Sequence, residues 1–371
     1  MPPLNFNAIL PLTLLIVWAC LLLLVDLFLK RTSVTAFLAA LGLALTLGLT
    51  LSQIGYDAKT WNGPGAVVVD GFSTFVNALL LISGLLGVAL AHDYIKRTGI
   101  ERGEYYSLLL FSVCGMMLMA QAADLIIVFL ALELLSIPLY VLAAFAQPQA
   151  ESQEAGLKYF LLGAFSTGFV VYGIALVFGA TRSTALGAIV SAASSGANPL
   201  LLAVGAALIL VGLGFKVAAV PFHMWTPDVY HGAPSAVTAF MASGAKIAGF
   251  AALLRVFVLA FPTLAAEMTP ILAVISALTM IVGNVLAISQ TNIKRLLAYS
   301  SIAHAGYILM AFVPYGQSSV VATSVAAGLF YLVAYAVSNF GAWAAVIALE
   351  GQEGRGLEIS DYAGLGRKKP A

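Results

Sequence analysis

Residues 200–220 read LLLAVGAALILVGLGFKVAAV, and residues 221–235 read PFHMWTPDVYHGAPS. An apolar run long enough to cross a bilayer therefore carries a lysine, Lys216, near its end, and it stops at Pro221 in a short aromatic and polar passage. A second apolar run, 236–261, holds Lys246 among Ser243, Gly244, Ala245, Ala248 and Gly249. A lysine at bilayer depth costs about 2.5–3.5 kcal/mol on insertion scales, so it faces an internal path or a partner rather than lipid. Two such lysines flanking a broken helix predict a helical membrane bundle and mark its functional centre.

The rest of the chain agrees. Of 371 residues, 61% are hydrophobic and 9% charged, with a mean hydropathy of +1.01. A soluble domain carries about 25% charged residues. Spans are expected at roughly 8–29, 34–53, 72–92, 105–121, 124–146, 159–180, 200–220, 236–261, 270–289, 295–313 and 319–349, about eleven in all. These runs are far longer than a barrel strand, and the short loops make 1–371 a single polytopic membrane domain. The N-terminal MPPLNFN lacks a basic region, so the first run is read as a retained span. Cys20 and Cys114 both lie in apolar runs, which suits packing rather than a disulfide or metal framework.

Charge placement tests that map. With the N-terminus outside, the inner loops hold Lys30, Arg31, Lys96, Arg97, Arg102, Lys158, Lys294, Arg295, Arg355, Arg367, Lys368 and Lys369. The outer loops hold only Lys59 and Arg182, while Lys216, Lys246 and Arg255 fall within spans. The excess on one side predicts a cytoplasmic C-terminus.

Glu133 lies deep in FLALELLSIPLY, with Pro138 following. It is either a neutral carboxyl bonded to a neighbouring helix or the partner of a buried lysine; a carboxylate and lysines buried in one bundle favour pairing or proton exchange. Lys216 is near enough to its span's end to snorkel, but Pro221 frees backbone carbonyls that need a polar cavity or packed protein around them. Lys246 is too central to snorkel, and its small neighbours permit close helix approach. Together Glu133, Lys216 and Lys246 suit a proton relay, which requires the first two to approach within about 4–6 Å or share one water. His304, in SSIAHAGY, fits a core histidine and a relay step equally. His223 and His231 flank the break, where packing is the plainer role. Lys158 opens the sixth span, where a topology lysine is the default. Arg255 either pairs or snorkels. No phosphate loop, CxxC cluster, HExxH or nucleophile elbow is present, so no metal or cofactor site is expected in this chain.

LKYFLLGAFSTGFVVYGIAL (157–176), GLGFKVAAVPFHMWTPDVYHGAPSAVTAFMASGAKIAGFAALLRV (212–256) and NIKRLLAYSSIAHAGY (292–307) resemble the antiporter-like subunits of respiratory membrane complexes. In detail they are similar to subunit N of bacterial NADH-quinone oxidoreductase (complex I). The resemblance implies an inverted-repeat bundle with a broken helix near 216–221. Residues 1–104 would be leading helices, 105–261 a first five-helix repeat and 270–371 an incomplete second one, because family members continue beyond YAGLGRKKPA. It implies a proton relay of Glu133, Lys216 and Lys246, with His304 and Lys158 as secondary members, in a proton-translocating subunit of the cell inner or plasma membrane. Partners would be the other membrane subunits, carrying NAD, FMN, iron–sulfur clusters and quinone between them. The alternative is a subunit of a multi-subunit sodium/proton antiporter or a membrane-bound hydrogenase. No nucleic acid is implied.

Overall fold

The computed structural model describes residues 6–29, 31–59, 65–351 and 356–368. Lys30, Arg355 and Lys369, used above in the charge map, lie outside these residues. The chain forms a helical bundle. Its helices are α1 (Phe6–Asp26), α2 (Thr32–Ser52), α3 (Gly71–Arg97), α4 (Glu104–Gln121), α5 (Leu125–Ala143), α6 (Ala150–Thr181), α7 (Leu186–Ser194) and α8 (Pro199–Val217). They continue with α9 (Trp225–Gly232), α10 (Ser235–Phe240), α11 (Lys246–Ala260), α12 (Ala265–Ile288), α13 (Ile293–Met310), α14 (Val321–Leu349) and the short α15 (Leu365–Lys368).

Nine spans among the described residues are long and apolar enough to cross a membrane. The two remaining expected spans are α4 and α13, each 18 residues long. Both dilute their apolar character with side chains that never meet lipid. Ser107, Ser112 and Gln121 of α4 are buried, as are Lys294 and Ser301 of α13. One departure from the all-helical expectation is a two-residue ladder, Ala58–Lys59 against Val68–Val69, in the α2–α3 connection.

Burial ranks the helices. In its apolar stretch the span Ser235–Ala260 is 89% buried, against 22% for Pro262–Ile288 and 33% for α1. The helix carrying Lys246 is therefore the axis of the bundle, and α12 and α1 are its skin. Glycines permit the tightest crossings. A Cβ on Gly173 would lie 2.7 Å from the carbonyl oxygen of Gly205, which brings α6 and α8 into backbone contact. At Gly115 it would lie 2.2 Å from the backbone nitrogen of Leu135, so α4 sets the position of α5 and of Glu133 upon it.

The expected break is present. Asn198 caps α8 by accepting from the N–H groups of Leu200 and Leu201. The helix ends at Val217, ahead of Pro221, with Ala218 in the left-handed region at φ 62°. That conformation costs a non-glycine residue about 1–2 kcal/mol. It is held by Ala219 N–H on Gly214 O (2.8 Å) and by Val220 N–H on the Thr279 hydroxyl (2.9 Å). The Trp225 indole donates to the Phe215 carbonyl (3.0 Å), which also accepts from Ala218 N–H (3.0 Å). A second irregularity was not foreseen: Met241–Ala245 forms a π-helical turn immediately before Lys246. Such turns leave backbone groups outside the regular ladder and recur at functional sites.

Candidate functional site

Two buried lysine sites lie on either side of the broken segment. Lys216, 4% exposed, donates from Nζ to the Ser136 hydroxyl (2.8 Å) and the Tyr159 hydroxyl (3.1 Å). Ser136 sits one turn beyond Glu133 on α5. Glu133 is half-buried and accepts from the Thr167 hydroxyl of α6 at 2.8 Å. The described ion pairs are Lys158–Glu154, Lys158–Asp228, Arg255–Asp70 and Arg295–Asp228, so Glu133 and Lys216 do not meet as an ion pair. The groups bonded to Lys216 are the hydroxyls of Ser136 and Tyr159.

Lys246, 2% exposed, donates to both the carbonyl and the hydroxyl of Ser301, each at 2.5 Å. The Ser301 hydroxyl bonds Tyr335 OH (2.8 Å), and Tyr335 donates to the Ala242 carbonyl in the π turn (3.0 Å). The Asn339 amide donates to Ser243 (2.7 Å), closing the turn from its other side. His304 is half-buried, bonds Tyr331 OH through Nδ1 (2.8 Å), and its ring centroid lies 5.3 Å from that of Tyr335. It therefore extends the Lys246 cluster towards α14.

An aromatic stack runs from the Lys216 site into the broken segment. Tyr159 lies flat on Trp225 (4.6 Å between centroids, 6° between planes), and Trp225 meets the edge of Tyr230 at 6.0 Å. The Tyr230 carbonyl in turn accepts from the Thr238 hydroxyl of α10 (3.3 Å).

Lys158 stands apart from this interior. Its side chain is 41% exposed and forms a surface cluster with Glu154 (2.7 Å) and Asp228 (2.8 Å), and Asp228 also binds Arg295 (2.9 Å). Partial burial alone would raise the Asp228 pKa, but hydrogen bonds from Lys158 and Arg295 outweigh it and hold the carboxyl below its ordinary range. The residue at this turn that touches Lys216 is its neighbour Tyr159, which carried no charge to draw notice.

Three further placements differ from the sequence reading or extend it. Lys294, assigned above to an inner loop, is 3% exposed and donates to the Ala233 carbonyl at 2.7 Å. Arg255 pairs rather than snorkels. Its guanidinium grips Asp70 with two 2.6 Å bonds, donates to the Ala120 carbonyl (3.0 Å) and lies over the Phe72 ring at 4.6 Å. Glu350, not singled out above, is buried and accepts from Tyr94 OH at 3.2 Å.

A multi-pass bundle with two buried lysines, one at a helix break and one after a π turn, defines the class of antiporter-like membrane subunits. A family model described as "NADH:quinone oxidoreductase/Mrp antiporter, TM" matches residues 122–371. The NADH-quinone oxidoreductase subunit N of Chloroflexus aggregans is 46% identical over 100% of this chain and 76% of its own length. That of Trichlorobacter lovleyi is 46% identical over 99% of this chain and 74% of its own. Among solved structures, a chain of respiratory complex I from Thermus thermophilus superposes with a TM-score of 0.80 at 39% identity, covering 97% of this chain and 75% of that one. A chain of the Mrp complex from Dietzia sp. shares the fold (TM-score 0.81, 22% identity, 93% and 65% covered). The chain belongs to the NADH-quinone oxidoreductase subunit N family, membrane subunits of a quinone-reducing enzyme that work beside other membrane subunits.

Proposed function

We propose that this chain moves protons across the membrane within an NADH-quinone oxidoreductase, coupled to quinone reduction on partner subunits. The observation that carries this reading is the pairing chemistry of Lys216 and Lys246. Both are buried at membrane depth, and both are held by hydroxyls and a carbonyl instead of a carboxylate. A hydroxyl accepts from an ammonium and donates to an amine, so each site accommodates both the charged and the neutral lysine. Glu133 tunes Lys216 across Ser136, Lys246 receives the proton beyond the aromatic stack, and His304 continues the line. Lys158 serves the inner surface as part of the Asp228 cluster. NAD, FMN, iron–sulfur clusters and quinone belong to partner chains in this reading, and the basic-rich ends face the cytoplasm with the N-terminus outside. The alternative of a sodium/proton antiporter or hydrogenase subunit is the weaker one, because the similarity at 46% identity is to subunit N.

The test is quinone-coupled proton uptake by the assembled complex in proteoliposomes. Lys216→Ala and Glu133→Ala should reduce it, and Lys158→Ala should do less. Lys216→Arg should also impair it, since arginine keeps the charge but does not release its proton. Undiminished pumping in Lys216→Ala would overturn the reading.

A further inference from the structure

At the basic-rich end of the bundle, where the α3–α4 and α5–α6 connections meet the α9–α10 junction, lies a cavity of about 760 Å³. Tyr94, Arg97, Glu151, His231, Lys294 and Glu350 line it. None of these entered the relay described above. Three of them are nearly sealed from solvent: Lys294 at 3%, Tyr94 at 4% and Glu350 at 7% exposure. A buried lysine and a buried glutamate sharing a polar cavity without forming an ion pair is costly unless the charges serve a purpose. The arrangement also leaves polar atoms unanswered. Glu350 Oε2, Arg97 Nε and the Ser235 hydroxyl have no hydrogen-bond partner, and buried groups of this kind are ordinarily met by water.

From this cavity a polar stripe runs to Lys246. Tyr94 OH donates to Glu350 and accepts from the Ser235 N–H (3.1 Å), so the cavity wall is hydrogen-bonded to the first residue of α10. Ser235 and Thr238 share one face of α10, while Ala242 lies within the π turn and Lys246 immediately after it. Thr238 leans its hydroxyl on the Tyr230 and Pro234 carbonyls (3.3 Å each), and the Ala242 carbonyl accepts from Tyr335, already bonded to Ser301 and through it to Lys246. On α13, Lys294 and Ser301, which bond the Ala233 carbonyl and Lys246, lie two turns apart on a common face. The stripe from Ser235 to Lys246 covers about 16 Å at 1.5 Å per residue.

We propose that this cavity is an inner mouth through which the Lys246 site exchanges protons with the cytoplasm, separately from Glu133 and Lys216. The proposal rests on the proton-transport reading and extends it. A proton taken from cavity water by the Glu350 carboxylate passes along water held by the Ser235 and Thr238 hydroxyls and is bound by the neutral amine of Lys246. Only O–H and N–H bonds are made or broken, and no oxidant or reductant is needed. Lys294 places a second basic group beside Arg97 in the lining of the mouth.

The test uses the assembled complex in vesicles with Cys20→Ser and Cys114→Ala as background. His231→Cys, on the cavity lining, and Ser235→Cys, buried behind it, are exposed to a membrane-impermeant trimethylammonium methanethiosulfonate, with buried Phe250→Cys as control. His231→Cys is expected to react from the cytoplasmic face only, and Ser235→Cys and Phe250→Cys far more slowly or not at all. Glu350→Gln is expected to slow proton uptake about tenfold or more, with Glu350→Asp restoring part of it. A His231→Cys that does not react from the cytoplasmic face, or normal pumping in Glu350→Gln, overturns the proposal. If Lys216→Ala stops pumping while either of those results holds, only the inner mouth fails. If Lys216→Ala and Lys246→Ala both pump normally, the transport reading fails and takes the mouth with it.

Discussion

Asp70→Ala isolates what a fully paired intramembrane cation requires. Arg255 is 5% exposed, and two of its three hydrogen bonds end on Asp70. Removing one partner of a buried pair costs about 3–5 kcal/mol, because the remaining charge is left desolvated and unanswered. Asp70 keeps 28% of its side-chain exposure, so solvent screening places the expected loss at the lower end, about 3 kcal/mol. Asp70 also caps α3 by accepting from Ser73 N–H at 2.8 Å, and losing that cap adds about 1 kcal/mol. Asp70→Asn, which retains a cap, should therefore be the milder variant. Asp70→Ala with Arg255→Leu should recover most of the stability, since an apolar replacement of both partners is often neutral. The assay is thermal unfolding of the purified complex read by a thiol-reactive dye at Cys114, buried in α4, in a Cys20→Ser background. The pH dependence has a definite sign. Burial pushes the Asp70 carboxyl up, but Arg255 and Ser73 outweigh it and hold its pKa below the ordinary value. The pair's contribution is thus complete above about pH 4 and is lost only as pH falls further through the depressed folded pKa. An Asp70→Ala variant that unfolds with its parent, or a difference that vanishes between pH 7 and pH 5, would refute this account.

Other outcomes follow from the same geometry. Gly115→Ala should destabilise by about 1–3 kcal/mol through overpacking against the Leu135 backbone, and it should also lower pumping because it displaces the helix bearing Glu133 and Ser136. Gly341→Ala, where a Cβ meets nothing within 4 Å, is the matched control and should be neutral or stabilising in the same unfolding assay. Asp228→Asn removes the charge and one of the two acceptor oxygens that Lys158 and Arg295 share; it should loosen α9 against α6 and α13, read as faster proteolysis between residues 218 and 235, while Lys158→Ala has a smaller effect. A thiol introduced at Gly99 should be labelled from the cytoplasmic face only, and one at Gly63, which lies outside the described residues, from the opposite face; the reverse pattern would overturn the proposed orientation.

The features legible in the sequence are those that solvent dictates locally. Apolar run lengths locate the spans because the bilayer requires them, and Pro221 announces the break because proline cannot continue a hydrogen-bonded helix. Contacts across the bundle carry no such local mark. Arg255 and Asp70 are 185 residues apart, and Tyr94 and Glu350 are 256 apart. Lys294 reads as a loop cation because it stands beside Arg295 at a helix start, yet the fold turns one inward and the other onto the Asp228 cluster. The same inward turn reveals a division among the buried cations. Arg255, which does not release a proton, receives a bidentate carboxylate; Lys216, Lys246 and Lys294, which can, receive hydroxyls and carbonyls. A carboxylate at bonding distance would fix each lysine in its charged form, so withholding it is what leaves these sites able to change state. Glu133 fits that logic: it stands one turn from Ser136, the residue bonded to Lys216, and forms no ion pair with that lysine. On the proposed transport reading, the proton path is marked less by where charges meet than by where buried lysines are kept from meeting one.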